Sequence, residues 1–263
     1  MGLSGRLSDT FLFTRDPAFS EQTGERQQRW QNGIDAALNY SPEGGRLVFG
    51  VTGNHTAHKY TGSDQAPLLN RYEQMVGAKA GYKIQPKTTV WLGYRRGIVH
   101  YTADGRNAAN TASIISGDKN NKSHYFEGIV DGHIAPKLKG SVSTGVSLRK
   151  YDQANAGRTQ HSRNFVAGAN LTWTPSEACL WNLSLTRAVN ESTFGINRFS
   201  IENSGDLAMS HKFPWKLTGR IGAGMSVSKY PETTALGAFR ANRRDDTYRQ
   251  KVGVDYGIND WAS

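Results

Sequence analysis

The histidines and the single cysteine are the residues in this sequence that most invite a metal-binding or catalytic interpretation. The seven histidines are dispersed along the chain. His55 and His58 would share a ligand spacing only on a helix, because residues three apart on a strand point to opposite faces. Cys179 is alone, so it forms no internal disulfide and no paired-cysteine metal site. We therefore predict no metal site and interpret the histidines as polar residues near strand ends.

Sequence signatures of enzymes are absent. The chain contains no G-x-S-x-G nucleophile turn, no H-E-x-x-H zinc motif and no GxxxxGK[ST] phosphate loop. The sequence therefore predicts a protein that is not an enzyme and that uses no cofactor.

Charged residues of both signs lie at positions that alternate with apolar ones. On a membrane β-barrel such positions point into the lumen. There, opposite charges can pair across strands and hold the barrel in shape, or they can set the field that a passing solute experiences. The sequence leaves both interpretations open. The predicted lumen-lining residues are Lys79, Arg95, Glu127, Asp131, Lys139, Arg149, Asp206, Arg220, Lys251 and Asp255.

Strict alternation is what places these charges on one face. From Trp215 to Val227 the odd positions are apolar or glycine, whereas the even positions are mostly polar or glycine. This period of two is typical of a strand with one buried and one polar face, and its length exceeds the roughly 5–6 residues of a globular strand. The pattern recurs to give about twelve strands. They lie near 3–14, 30–40, 46–58, 71–84, 89–101, 123–135, 138–149, 165–173, 181–186, 198–213, 215–227 and 251–258.

The connectors between these strands alternate between short and long. Five of the eight prolines lie in short turns: Pro42, Pro86, Pro136, Pro175 and Pro214. The remaining three fall in longer segments, such as YTGSDQAPLLN. An outer-membrane barrel has this arrangement, with short turns at the periplasmic rim and long loops outside.

Aromatic residues concentrate near the strand ends. The predicted aromatic girdle beside the short turns is Tyr40, Tyr82, Trp91, Trp173, Trp181, Trp215, Tyr256 and Trp261. A second group lies near the long connectors: Tyr60, Tyr72, Tyr101, Tyr125, Tyr151, Phe165, Tyr230 and Tyr248. Two such rims match the interfacial girdles of a membrane barrel.

Composition limits the alternatives. No segment approaches the ~18 consecutive apolar residues of a spanning helix, which excludes a helical membrane protein but not a barrel with a polar lumen. The net charge is +10, but Lys and Arg are scattered rather than clustered, so we expect no nucleic-acid partner. A soluble protein of two β-sheets remains an alternative.

Several sequence segments resemble those of a known protein family. They are GAKAGYKIQPKTTVWLGYRRG, GHIAPKLKGSVSTGVSLRKY, LTWTPSEACLWNLSLTRAVNES, KFPWKLTGRIGAGMSVSKY and RRDDTYRQKVGVDYGINDWAS. Each has the form strand, turn, strand, and from about Arg71 to Ser263 the chain resembles the β-barrel porin 2 family of Gram-negative envelopes. The resemblance implies an outer-membrane barrel associated with exopolysaccharide synthesis and export.

The expected fold is all-β: an antiparallel up-and-down transmembrane β-barrel, incomplete at its end. We expect residues 1–263 to form a single barrel domain that lacks a signal peptide and one or more C-terminal strands. The expected function is a passive porin for solutes or polysaccharide, with outer-membrane lipid and envelope export components as partners. The alternative is a structural or binding barrel whose long loops engage a partner or a surface polymer without conductance.

Overall fold

Long antiparallel strands make up nearly all of the structure, which is a computed structural model. It describes residues 2–14, 28–61, 69–102, 119–152, 160–192, 197–231, 234–236, 239–241 and 243–257. None of these residues belongs to a helix that is long and apolar enough to cross a membrane.

The strands follow one another along the chain with short and long connections in turn. They are β1 (Gly2–Thr14), β2 (Gln28–Ser41), β3 (Leu47–Thr61), β4 (Arg71–Gln85), β5 (Thr88–Tyr101), β6 (Asn121–Ala135), β7 (Leu138–Tyr151), β8 (His161–Ser176), β9 (Cys179–Glu191), β10 (Phe199–Lys212), β11 (Leu217–Lys229), β12 (Thr234–Leu236), β13 (Phe239–Ala241) and β14 (Arg244–Tyr256). The long strands have 13 to 16 residues. This length suits a tilted strand that spans a bilayer.

One sheet of twelve strands contains every long strand, in the order β1 to β11 followed by β14. All neighbours are antiparallel, and β12 and β13 form a separate two-stranded hairpin. The sequence prediction of an up-and-down antiparallel fold with about twelve strands is therefore confirmed. Among the described residues, β1 and β14 are the two edges of the sheet, which is not closed by a ladder between them.

The two faces of the sheet differ sharply in polarity. The outer face, defined by Leu7, Val76, Leu92, Val142 and Val252, leaves large apolar side chains exposed; Leu92 and Val252 are 74% and 83% exposed. A continuous exposed apolar surface of this kind marks contact with lipid or protein. The opposite face, here called the inner face, carries the predicted charged residues, and its side chains contact one another across non-neighbouring strands.

The strand pairing shows which residues of the predicted aromatic girdle beside the short turns lie on the outer face. Tyr40, Tyr82, Trp173, Trp181 and Tyr256 lie on the outer face. Trp215 lies in the turn before β11 with a φ of 64°, not on the strand that the alternation predicted. Trp261 falls outside the described residues.

Trp91 does not lie on the outer face, so its place in the predicted girdle is corrected. It pairs with Gly81 and Ile129 on the inner face, where the ammonium of Lys79 lies 4.2 Å from its ring centroid. Its indole covers Gly81, at which a Cβ would overlap the ring. The glycine opposite is what allows an indole to lie flat on this face.

The second group of aromatic residues, predicted near the long connectors, is divided between the two faces of the sheet. Tyr72, Phe165 and Tyr248 do lie on the outer face. Five tyrosines instead lie on the inner side and are almost fully buried: Tyr60, Tyr101, Tyr125, Tyr151 and Tyr230. Nearness to a strand end does not fix the direction of a side chain, because adjacent strand positions point to opposite faces.

Placing a charge in the middle of the outer face tests its assignment as the lipid-facing surface. We expect Val142→Arg to destabilise the protein in lipid vesicles by about 2–4 kcal/mol, because a cation at the bilayer midplane loses its hydration. The matched control is Ser141→Arg on the inner face of the same strand, which should cost far less. Urea titration of the free energy of folding into vesicles measures both, and equal losses would contradict the assignment.

Candidate functional site

The inner face brings all of the predicted lumen residues to one side of the sheet. Directly paired residues of an antiparallel ladder point to the same face, so the register places each of them. They are Lys79, Arg95, Glu127, Asp131, Lys139, Arg149, Asp206, Arg220, Lys251 and Asp255. That these residues line a path for solutes stays a prediction.

Two predicted pairs of opposite charge meet between neighbouring strands. Arg95 Nη2 lies 2.5 Å from Glu127 Oε1, and Arg95 Nε lies 3.0 Å from Oε2, so the two groups form a two-pronged ion pair. Arg220 Nε lies 3.1 Å from Asp255 Oδ2. The second pair is more than half exposed and contributes little stability.

A third pair crosses a whole strand and uses a residue that sequence reasoning did not select. Arg249 Nη2 on β14 lies 2.8 Å from Asp206 Oδ2 on β10, and the two side chains meet above Gly224 on the intervening β11. A Cβ at Gly224 would overlap the Asp206 carboxylate. Arg249 lies two residues before Lys251 and so has the same strand parity, which is the signal that would have identified it.

The other predicted charges are not joined into pairs. Asp131, Lys139 and Lys251 are exposed and form no ion pair with any residue in the described part of the chain. The ammonium of Lys79 contacts the ring of Trp91 instead of a carboxylate.

The most unusual feature of the inner face is the end of the β9–β10 hairpin at the long connectors. The ladder between β8 and β9 stops at the pair Ala167 and Arg187, whereas the β9–β10 ladder continues to Glu191 and Phe199. Arg187 Nε donates to the carbonyl oxygen of Phe165, 3.2 Å away, at the point where the strands separate. Beyond Arg187 the β9–β10 hairpin is not paired with β8, so its end can leave the plane of the sheet.

The hairpin end, defined here as Ala188–Ser192 and Asn197–Ser200, packs against the inner face of β6 to β8. Val189 and Phe199 form a buried apolar cluster with Tyr125, Tyr151 and Val166. By the alternation of β9, Val189 would lie on the outer face together with Leu183 and Leu185. The side of the hairpin end that strand parity assigns to lipid therefore lies inside.

Glu191 is the charged anchor of the hairpin end. Its Oε1 lies 2.6 Å from Arg149 Nη1, and the side chains of the two residues are 5% and 4% exposed. The amide of Asn121 also donates to Glu191 Oε1, at 3.2 Å. A buried pair of this kind is costly to break, because removal of one partner leaves the other charge desolvated.

Side chains also satisfy the backbone of the hairpin end. Arg149 Nη2 donates to the carbonyl oxygen of Val189 at 3.3 Å, and Lys119 Nζ donates to that of Ser192 at 2.8 Å. Buried carbonyl groups require such partners. Arg149 and Lys119 thus replace part of the backbone hydrogen bonding that β8 provides along the rest of its ladder with β9.

Arginines lie over the buried tyrosines at the same end of the sheet. The Arg198 guanidinium carbon is 4.1 Å from the Tyr151 ring centroid, and that of Arg95 is 4.9 Å from the ring of Tyr125. Arg243 lies similarly over Tyr230 at 5.2 Å. Burial raises the pKa of Tyr230, which lies just beyond β11, to about 12.

A cavity of about 440 Å³ lies between the hairpin end and the inner face of β2 to β7. Its charged lining includes Arg29, Arg71, Glu73, Arg149 and Glu191. Arg71 Nε lies 2.8 Å from Glu73 Oε1, and His58 Nε2 lies 3.5 Å from the same oxygen. The cavity is therefore lined by charges that already have partners.

Sequence reasoning missed four charged residues of this cavity for two different reasons. Arg29 pairs with Tyr60 and so has the inner-face parity of β2. Arg71 and Glu73 have the same parity as Lys79 on β4, so the alternation contained the signal. Glu191 has the parity of the apolar outer positions of β9. No local pattern indicates that its strand end turns inward.

The histidine pair and the cysteine have no shared site. His55 lies on the outer face and His58 on the inner face, as a strand requires of residues three apart. Cys179 begins β9 and is half-buried. Within the described ranges, no group of three or more His, Cys, Asp or Glu residues is placed to hold a metal ion.

A double-mutant cycle measures how strongly Glu191 anchors the hairpin end. Glu191→Ala should cost about 3–5 kcal/mol of unfolding free energy, because the Arg149 guanidinium remains buried without its carboxylate. Arg149→Met should also be destabilising, and the double variant Arg149→Met, Glu191→Ala should lose much less than the sum of the two single losses. Urea unfolding in detergent or lipid gives all three values; additive losses would show that the two residues do not interact.

Solved structures to which this chain is similar include an iron transporter and a porin. The FrpB iron transporter of Neisseria meningitidis, in its F5-1 variant, matches with a TM-score of 0.51 and 12% identity over 89% of this chain and 43% of its own. Its F3-3 variant gives a TM-score of 0.49 and 11% identity over 88% and 42% of the two chains. The KdgM porin gives 0.32 and 13% over 89% and 97%. The chain thus spans less than half the length of the FrpB transporter.

No curated protein sequence matches this chain. A protein family does: residues 23–262 match the family described as Putative beta-barrel porin 2. This match agrees with the antiparallel sheet, its apolar outer face and its charged inner face, and it places the protein in the bacterial outer membrane. The chain belongs to the Putative beta-barrel porin 2 family.

Proposed function

We propose that this protein is a passive outer-membrane channel, that residues 1–263 form a single barrel domain, and that the inner face lines the path of a hydrated solute. The observation that carries the proposal is the separation of the two faces. Polar and charged side chains follow the inner face from β1 to β14, opposite an exposed apolar surface. Membrane porins have this combination of polar lumen and apolar exterior.

The charges of the inner face support a preference for anionic solutes. Arg95, Arg220 and Arg249 are neutralised by carboxylates on nearby strands. Among the predicted lumen residues that form no ion pair with a described residue, the three cations Lys79, Lys139 and Lys251 outnumber the one carboxylate, Asp131, and so contribute a net positive field. Rings or rows of one charge sign select the ions that pass a pore. A polymer of acidic sugars is the class of solute that fits both this field and the export role that the family resemblance implies.

The hairpin end favours a second candidate function. It occupies the inner face at the long connectors and leaves a cavity of about 440 Å³ there. A path closed at this point would make the protein a structural or binding barrel, whose loops engage a partner or a surface polymer. The two functions differ in conductance, which a channel has and a plugged barrel lacks.

Reversing the charge of the unpaired inner lysines tests the channel. We expect Lys79→Glu, Lys139→Glu and Lys251→Glu together to shift the reversal potential in a KCl gradient toward cation preference, because the field along the path changes sign. The matched control carries Lys59→Glu, Lys87→Glu and Lys229→Glu, which change the net charge equally away from the inner face. Planar bilayers provide the measurement. Absence of any conductance in the unaltered protein would instead favour the binding barrel.

Release of the hairpin end should widen the path. We expect Glu191→Ala to raise single-channel conductance, because the hairpin end loses its ion pair with Arg149. Glu177→Ala, at the exposed β8–β9 turn of the opposite rim, is the control and should conduct as the unaltered protein does. If both variants conduct equally, the hairpin end does not limit the path.

A further inference from the structure

Four exposed cations form a patch on the outer face at the long-connector end. Arg96 on β5, Lys122 on β6, Lys150 on β7 and Arg163 on β8 all carry the strand parity of the outer face. Lys122 is paired directly with Lys150, and Lys150 with His161. We call these four cations the basic patch.

The basic patch has no counter-charge of its own. None of its four cations forms an ion pair with a residue in the described ranges. The described outer-face positions of β2 to β8 include no aspartate or glutamate. Like charges directly opposite each other on a sheet are destabilising. An external anion bound between these cations would relieve that repulsion.

The position of the basic patch relative to the apolar surface indicates the depth in the membrane at which such an anion would bind. On β8 the outer face is apolar from Phe165 to Trp173, about 26 Å along the strand at 3.3 Å per residue. Arg163 is the next outer-face position beyond Phe165. On β6, Phe126 is followed outward by His124 and Lys122. The cations thus begin where the hydrocarbon layer ends, at the depth of lipid headgroups.

The width of the basic patch suits a headgroup with more than one phosphate. Four neighbouring strands are about 14 Å across at 4.7–4.9 Å per strand. Hydrogen-bonding groups lie between the cations: His124 Nδ1 is 2.7 Å from the Tyr94 hydroxyl, and its ring stacks on that of Tyr94. Cations interspersed with donors are the groups that bind phosphate oxygens.

We propose that the basic patch binds the phosphate groups of an anionic glycolipid in the outer leaflet of the outer membrane. Long loops of outer-membrane barrels face the cell exterior, which places this end of the sheet in that leaflet. Clusters of basic residues beside a membrane-spanning segment recognise anionic headgroups in the same way. The proposal rests on the outer-membrane location of the protein and is independent of whether the barrel conducts.

Binding of purified lipid A tests the proposal on the full chain in detergent micelles. Bis-phosphorylated lipid A should bind and remain attached in native mass spectrometry. Dephosphorylated lipid A and inorganic phosphate should not. The variant Lys122→Gln, Lys150→Gln should raise the Kd for bis-phosphorylated lipid A about 30-fold, since each cation near a membrane surface contributes roughly one kilocalorie per mole.

The control variant removes the same charge elsewhere. Lys87→Gln, Lys212→Gln replaces two exposed lysines at the short-turn end and should leave the Kd unchanged. If Lys122→Gln, Lys150→Gln does not fold, Lys122→Arg, Lys150→Arg keeps the charge and should keep the affinity, whereas Lys122→Gln alone should lose part of it.

Three results would overturn the proposal. Equal affinity of the two glutamine variants would show that the basic patch is not the site. Equal binding of lipid A with and without phosphates would assign the affinity to the acyl chains. Competition by inorganic phosphate at similar concentrations would show a free-anion site rather than a lipid site.

Discussion

The pairing of every backbone hydrogen-bonding group within the hydrocarbon layer is the constraint on which this structure depends. Lipid offers no hydrogen bonds, so each strand must be paired on both sides across the membrane. The strands from β2 to β11 satisfy this requirement through antiparallel ladders on both sides, whereas β1 and β14 are each paired on one side among the described residues. The same constraint explains where the ladder can stop. The β8–β9 pairing ends only at the long-connector end, where Arg187, Arg149 and Lys119 donate to carbonyl oxygens that have lost strand partners.

Continuous ladders force the side chains to alternate, and alternation then divides the chemistry of the protein between two surfaces. On the inner face, ion pairs join β5 to β6 and span from β10 to β14, with Gly224 allowing the longer pair to cross β11. On the outer face, apolar side chains predominate in the middle, where Asn32 also donates to the Asp9 carboxylate, and cations lie at one end. A charge therefore has opposite consequences at adjacent positions, as Arg149 and Lys150 illustrate: one is buried against Glu191, and the other is exposed on the outer face.

The hairpin end connects the fold to the proposed channel. Its apolar side packs on Tyr125, Tyr151 and Val166, and its carboxylate is held by Arg149. The two interactions support each other, because the apolar cluster excludes water from the ion pair and the pair fixes the register of the hairpin end against the sheet. Under the proposed channel function, conductance would depend on how tightly this strand end is held and not on the width of the sheet alone.

The alternation of polar and apolar residues is enough to predict the strands, the connectors and the face of every predicted lumen residue, because the direction of a side chain on a paired strand depends only on parity. Sequence-based prediction is wrong in two situations. In one, packing overrides strand parity; in the other, nearness to a strand end does not indicate which face a side chain occupies. Trp91 and Tyr151 lie near strand ends, yet both point inward. The inward position of Glu191 depends instead on three-dimensional packing, because its strand end leaves the ladder and turns over the inner face to reach Arg149. This contact joins residues 42 positions apart, and no local pattern encodes it.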